Sequence, residues 1–225
     1  MCEVLNDWFI TCFKWVLHRK DIEYMTLIMH YIKEMLLYVV IGFLIGLIRL
    51  VILHRQKKIK DKKHEILMLL FIAYLAGLIS QTIIPRFSFG VFTNTGKFYF
   101  DVYFGSDRHI NLIPFQTIAQ YLTGNIDVNA DDVAPVAALN LVANLLLFYP
   151  LGFFLPALWD KFVAFKRTIL TGLCIVVVIE MIQFFIGRSA DIDDVILNVL
   201  GIAAGYCVYK LIPGKGIPRS SKINS

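Results

Sequence analysis

The chain has 225 residues, 58% of them apolar and only 17% charged, with 18 Phe, 10 Tyr and a mean hydropathy of +0.68. Soluble domains run at roughly 45–50% apolar and about 25% charged, so a soluble enzyme of ordinary make-up is excluded, and this wealth of aromatic and branched side chains excludes disorder. The balance of 22 Lys+Arg against 17 Asp+Glu is basic, but it falls in short clusters between apolar runs and implies no nucleic-acid partner. Cys2, Cys12, Cys174 and Cys207 show no metal-ligand spacing, so neither a zinc site nor a disulfide framework is implied, and no cofactor is expected.

In chain order, the run Val4–Leu17 is too short to cross a bilayer, and Leu5, Trp8, Phe9, Cys12, Phe13 and Val16 recur at helical spacing. The spacing predicts an amphipathic helix lying in the interface, so residues 1–33 read as an N-terminal interfacial segment that anchors or packs. Glu3, Asp7 and the lack of a small-residue cleavage site argue against the rival signal peptide. A hydrocarbon core about 30 Å thick needs roughly 20 apolar residues as helix. Such runs occur at Leu36–Leu53, Ile66–Ile84, about Val136–Leu158, Ile169–Ile186 and Val195–Ile212. The expected fold class is all-α: a polytopic integral membrane bundle of about five transmembrane helices over residues 34–212, with 213–225 as a cytoplasmic tail.

Orientation follows from Lys and Arg in short loops. The stretch Arg55–Lys63 holds six in nine residues and marks the cytoplasmic side, which alternation extends to Lys161, Lys166, Arg167 and the tail. The loop Pro85–Pro135 carries Asp101, Asp107, Asp127, Asp131 and Asp132 against Arg86, Lys97 and Arg108, and faces outward. The expected topology is multi-pass in a bacterial plasma membrane, N-out and C-in. Within that loop Tyr99, Phe100, Tyr103 and Phe104 read as an interfacial aromatic patch, the alternation over Lys97–Phe104 fits a small hairpin or a segment lying on the membrane, and Asn111–Phe115 is apolar but too short to cross.

Polar residues inside or at the rim of the spans carry the information, because a carboxylate near the bilayer centre costs a few kcal/mol on insertion scales. Glu180 lies in the outer part of the fourth span, with Gln183 and Gly187 on its helical face and Arg188 just beyond. Asp191, Asp193 and Asp194 open the fifth helix, where capping needs one or two acids and three are present, and Asn198, Gly201 and Gly205 continue the Asp194 stripe. Gly201 and Gly205 form a Gly-x-x-x-Gly that lets another helix approach closely. Asn140 and Asn144 sit one turn apart in the third span, ahead of Pro150, Gly152 and Pro156. Helix-to-helix hydrogen bonding explains each group singly, but does not explain their gathering in one leaflet.

Four motifs together resemble the VanZ-like family of bacterial membrane proteins: Asn111–Phe115; Asn140 with Asn144–Phe153; Glu180 with Gln183; and Gly187, Arg188, Asp191, Asp193, Asp194, Asn198 and Gly201. The resemblance covers about residues 84–209, and residues 1–53 look like an addition. It implies a cell-envelope protein whose founding members are associated with glycopeptide resistance, notably to teicoplanin, and brings no established reaction or cofactor.

Three functions are expected in descending order. The first is an outward polar cavity lined by Asn144, Glu180, Gln183, Asp194 and Asn198, with Arg86 and Arg188 at its mouth and Asn111, Asn140 and Asp191 as further ligand-binding residues. It would hold an amphiphilic ligand, a lipid-linked wall precursor or a lipoglycopeptide, with membrane lipids as the surrounding partners. The second is a membrane-embedded enzyme with Glu180 and Asp194 as its catalytic acid and base, since no nucleophilic Ser or Cys with a His partner is evident. In that case Asp191, Asp193, Asp194 and Glu180 would suit a hard cation, although no metal is expected. The third is a small transporter, disfavoured because the inner halves of the spans are apolar.

Overall fold

The computed structural model describes residues 21–59, 61–93, 95–103, 110–123 and 130–212, without the side chains of 21–27, 30, 31, 86–89, 103, 121–123 and 130–140. The expected interfacial helix at Val4–Leu17, Phe104 of the aromatic patch and the tail from residue 213 lie outside the described residues. Helix α1 (Asp21–Arg55) is followed by α2 (Lys62–Thr82), strands β1 (Arg86–Val91), β2 (Phe98–Tyr103) and β3 (Ile110–Asn111), and helix α3 (Gln116–Thr123). Then come α4 (Ala130–Leu158), a 3-10 turn at Asp160–Phe162, α5 (Phe165–Phe185), strand β4 (Ala190–Asp191) and α6 (Ile192–Leu211).

Five of these helices are long and apolar enough to cross a membrane: Ile32–Arg55, Lys62–Thr82, Leu141–Leu158, Phe165–Phe185 and Ile192–Leu211. Each overlaps one of the runs read from the sequence, with ends set by local chemistry. Asp61 is extended and caps α2, accepting from the Lys63 N–H at 2.9 Å. α5 ends where Gly187 takes φ +88°, and the Arg188 N–H bonds back to the Gln183 carbonyl at 3.0 Å, the left-handed closure that glycine tolerates best.

α2, α4, α5 and α6 share one core built from Phe71, Leu78, Phe148, Leu151, Leu155, Val176, Ile179 and Ile202. Lipid tails are as apolar as leucine, so the bundle is held by close packing and hydrogen bonds between helices rather than by expulsion of water. α4 and α6 approach most closely. An ideal Cβ at Gly205 would lie 1.8 Å from the Tyr149 carbonyl oxygen, at Gly152 1.9 Å from that of Ile202, and at Gly201 2.2 Å from that of Leu145. Gly201 and Gly205 therefore do what their spacing predicts. The Tyr74 hydroxyl ties α2 to α4 by donating to the Leu147 carbonyl at 2.9 Å, and the Tyr206 hydroxyl ties α6 to the α4–α5 turn by donating to that of Val163 at 2.8 Å. α1 packs on α2, with Arg49 paired to Glu65, and leaves Leu36, Leu44 and Ile48 exposed on its other side.

Beyond the α2 end, β1 and β2 form an antiparallel hairpin with Val91 opposite Phe98 and Phe89 opposite Phe100. Of the two readings the alternation allowed, the chain takes the hairpin. Phe98, Phe100 and Val102 alternate along one face at 68%, 58% and 42% exposure. A second pairing had no counterpart in the sequence pattern: β3 and β4 run parallel, Ile110 beside Ala190 and Asn111 beside Asp191.

Candidate functional site

The last turn of α2, the first turns of α6, the end of α5 and the 110–118 loop meet at the hairpin end of the bundle. Asp191 is extended and caps α6, its Oδ1 accepting from the Asp193 N–H at 2.9 Å. The same carboxylate accepts from Asn111 Nδ2 at 3.2 Å and from the Thr117 hydroxyl at 2.5 Å, while Asn111 Oδ1 receives the Ile113 N–H at 3.0 Å. Asp193 is fully buried and accepts from the Phe115 N–H at 2.5 Å and the Ile118 N–H at 3.1 Å. Phe115 takes φ +65°, a conformation costly for a non-glycine residue that its bond to Asp193 helps to hold. Asp191 and Asp193 thus dock the loop onto the start of α6. The Asp193→Ala variant is expected to lose about 3 kcal/mol, the scale of two charge-assisted bonds. Faster proteolytic cutting within residues 110–123 would report it, and wild-type resistance to protease would contradict this role.

Gln183 and Arg188 serve a neighbouring helix end. Gln183 is buried and its Nε2 donates to the Thr82 carbonyl at 3.1 Å, while Arg188 Nη1 donates to the carbonyls of Gln81 at 3.2 Å and Thr82 at 3.4 Å. The last carbonyls of a helix have no intrahelical donor and carry partial negative charge, so an amide and a guanidinium there satisfy α2 and pin it to α5. Asn144 Nδ2 donates to Asp194 Oδ1 at 2.5 Å and joins α4 to α6.

Two side chains remain with oxygens that these bonds do not use. Glu180 is 7% exposed and Asn198 2%, yet Glu180 Oε2 and Asn198 Oδ1 meet no donor. The third such oxygen among the described residues, Asp61 Oδ2, belongs to the α2 cap at the opposite end. Leaving a buried acceptor unpaired costs about 1–3 kcal/mol, more when it is charged. The Glu180 carboxylate lies within electrostatic reach of Asp194, Arg188 and Asp191, and the Asp191 N–H is directed to it. Asn198 is one turn deeper than Asp194 on α6.

Of the residues singled out in the sequence, Asn111, Asn144, Glu180, Gln183, Arg188, Asp191, Asp194 and Asn198 therefore gather at one end across α4, α5, α6 and the loop. Arg86 lies in β1 and Asn140 in α4, with both side chains outside the described ones. Sequence reasoning missed Thr117 and the Thr82 carbonyl; the position of Thr117 near the start of a short helix after Pro114 was the available signal. Among the described residues no three His, Cys, Asp or Glu side chains are arranged to hold a metal ion. Asp191 and Asp193 spend their oxygens on loop donors instead.

Residues 70–213 match the family described as VanZ/LLP1. The chain belongs to the VanZ/LLP1 family. No curated protein and no solved structure matches it. The VanZ/LLP1 region begins inside α2 and runs to the end of α6, taking in the whole polar cluster and leaving α1 outside. With five helices fit to cross a membrane, this VanZ/LLP1 protein is a multi-pass membrane protein.

Proposed function

We propose that this VanZ/LLP1 protein acts in the bacterial plasma membrane, N-out and C-in, and contributes to resistance to teicoplanin-type glycopeptides by holding an amphiphilic or lipid-linked ligand at the hairpin end. The observation that carries the reading is the pair of buried oxygens, Glu180 Oε2 and Asn198 Oδ1, left without donors beside Asp194. Their neighbours Gln183, Arg188, Asp191 and Asp193 already bind backbone or loop groups, so the scaffold is satisfied and the unpaired oxygens are set apart from it. In the N-out orientation this end lies in the outer leaflet, where lipid-linked wall precursors and lipoglycopeptides meet the membrane. The test is teicoplanin susceptibility of a sensitive host making the protein. The expected result is a higher inhibitory concentration than with an empty vector, and an unchanged one would overturn the resistance assignment.

The closeness of Glu180 to Asp194 supports a second reading, an acid and base pair acting on a lipid-linked substrate. Incubating purified protein with labelled lipid-linked precursor, with and without Mg²⁺, decides it, and absence of product in both removes it. The orientation has its own check. Thr95 sits exposed in the hairpin turn and Lys58 exposed at the opposite end. On intact cells a membrane-impermeant maleimide is expected to label Thr95→Cys, and to label Lys58→Cys only after lysis; the reverse pattern would invert the topology.

A further inference from the structure

The loop docked on α6 turns its apolar side chains away from the protein. Leu112, Ile113 and Phe115 are 74%, 62% and 61% exposed, although the backbone beside them is bound to the fully buried Asp193. Residues 110–126 contain no Asp, Glu, Lys, Arg or His, while Asp107, Arg108 and His109 precede them and Asp127 follows. Single exposed leucines carry no message, but neighbouring large apolar side chains in an uncharged stretch form a patch, and such patches mark contact with a membrane or a protein.

The backbone favours the membrane. Hydrocarbon offers nothing to a free N–H, so irregular chain enters it only when its donors are satisfied from within the protein. Here the Ile113 N–H donates to Asn111 Oδ1, those of Phe115 and Ile118 to the two Asp193 oxygens, that of Gln116 to the Ile113 carbonyl and that of Ala119 to the Phe115 carbonyl. Pro114, between them, has no N–H to satisfy. A loop lying in water needs no such provision. The depth fits as well. α6 has 20 residues, about 30 Å of helix, which matches the hydrocarbon core and sets its first turn, with Asp193, at the edge of that core. The loop bonded to Asp193 is therefore level with the start of the acyl chains.

We infer that Leu112, Ile113 and Phe115 form a re-entrant tip seated among the acyl chains of the leaflet at the hairpin end, its backbone held by Asn111 and Asp193. Lipid is the occupant of this apolar face, whether or not a ligand binds at Glu180 or Asn198.

The test uses the full-length protein in phosphatidylcholine nanodiscs, with p-benzoylphenylalanine replacing Leu112, Phe185 or Lys58 one at a time. Phe185 is exposed at the end of the α5 span, and Lys58 is exposed in the loop at the opposite end of the bundle. On irradiation the benzophenone takes a hydrogen from a neighbouring C–H and the two carbons join, so the product gains the whole mass of what it touched. Mass spectrometry is expected to find phospholipid joined through an acyl chain at Leu112 as often as at Phe185. The yield at Leu112 is expected to exceed that at Lys58 about tenfold, the preference that burial of one large apolar side chain gives. Joining only to a second copy of the chain would make this face a self-association surface and overturn lipid as its occupant. A yield no higher than at Lys58 would place the loop in water and overturn it too. Hydroxyl-radical labelling of the wild-type protein in the same nanodiscs needs no variant. Phe115 is expected to stay unmodified, and oxidation there keeping pace with that of the exposed His54 would contradict insertion.

Discussion

The Gly205→Leu variant is expected to leave little folded protein in the membrane. A Cβ at this position would lie 1.8 Å from the Tyr149 carbonyl oxygen and 3.1 Å from the Phe153 amide nitrogen, both backbone atoms that cannot turn aside. Overpacking a core usually costs 1–3 kcal/mol because side chains move away. Here α4 and α6 would have to separate, which also parts Gly201 from Leu145 and Gly152 from Ile202. The loss then approaches the ~5–15 kcal/mol that holds a typical protein together. Gly172 supplies the comparison, since its added Cβ would meet the Cδ1 end of the Ile202 side chain at 2.6 Å, an atom that can shift. Size-exclusion profiles and thermal midpoints of the purified proteins are expected to rank wild type, Gly172→Ala and Gly205→Ala in falling order, with Gly205→Leu aggregated. Equal midpoints for Gly205→Ala and Gly172→Ala would contradict the backbone contact.

The Glu180→Gln variant is expected to abolish teicoplanin protection while leaving the protein folded and as abundant as wild type. Glutamine keeps the shape of glutamate, removes the charge and replaces one acceptor oxygen with a donor group. A carboxylate with one buried oxygen left without a donor is a destabilising feature, so its neutral isostere should be no less stable than wild type and up to about 1 kcal/mol more stable. A residue whose task is to bind helices together behaves oppositely, losing stability and function at once. A joint fall in protection and midpoint would therefore assign Glu180 to packing, and full protection would remove it from the site. Asn144→Ala, which strips Asp194 of its 2.5 Å donor, is expected to lower both stability and protection.

Much of this arrangement was legible in the sequence, and the reasons are specific. The spans could be read because a bilayer imposes a length on apolar runs, and Arg55–Lys63 and the Asp194–Gly205 stripe could be read because they follow charge and the 3.6-residue repeat. The gathering of Asn144, Glu180, Asp194 and Asn198 at one end followed from alternation of the spans. What could not be read was how each polar group is spent. Gln183 and Glu180 share a helical face, yet one bonds the Thr82 carbonyl and the other keeps an oxygen unpaired, a difference set by the α2 terminus more than one hundred residues away along the chain. Likewise three aspartates at the start of α6 looked like a surplus over capping. Two of them hold the 110–118 loop, whose parallel pairing of β3 with β4 joins short segments that carry no periodic signal.

The most direct test of a ligand site built on Glu180 and Asn198 is equilibrium binding of radiolabelled lipid-linked wall precursor to the full-length protein in nanodiscs. Wild type, Glu180→Gln and Asn198→Ala are compared at matched folded amounts. Saturable binding to wild type is expected, weakened about tenfold or more in each variant, as loss of one buried hydrogen-bond partner implies. Equal binding by all three proteins would contradict the site.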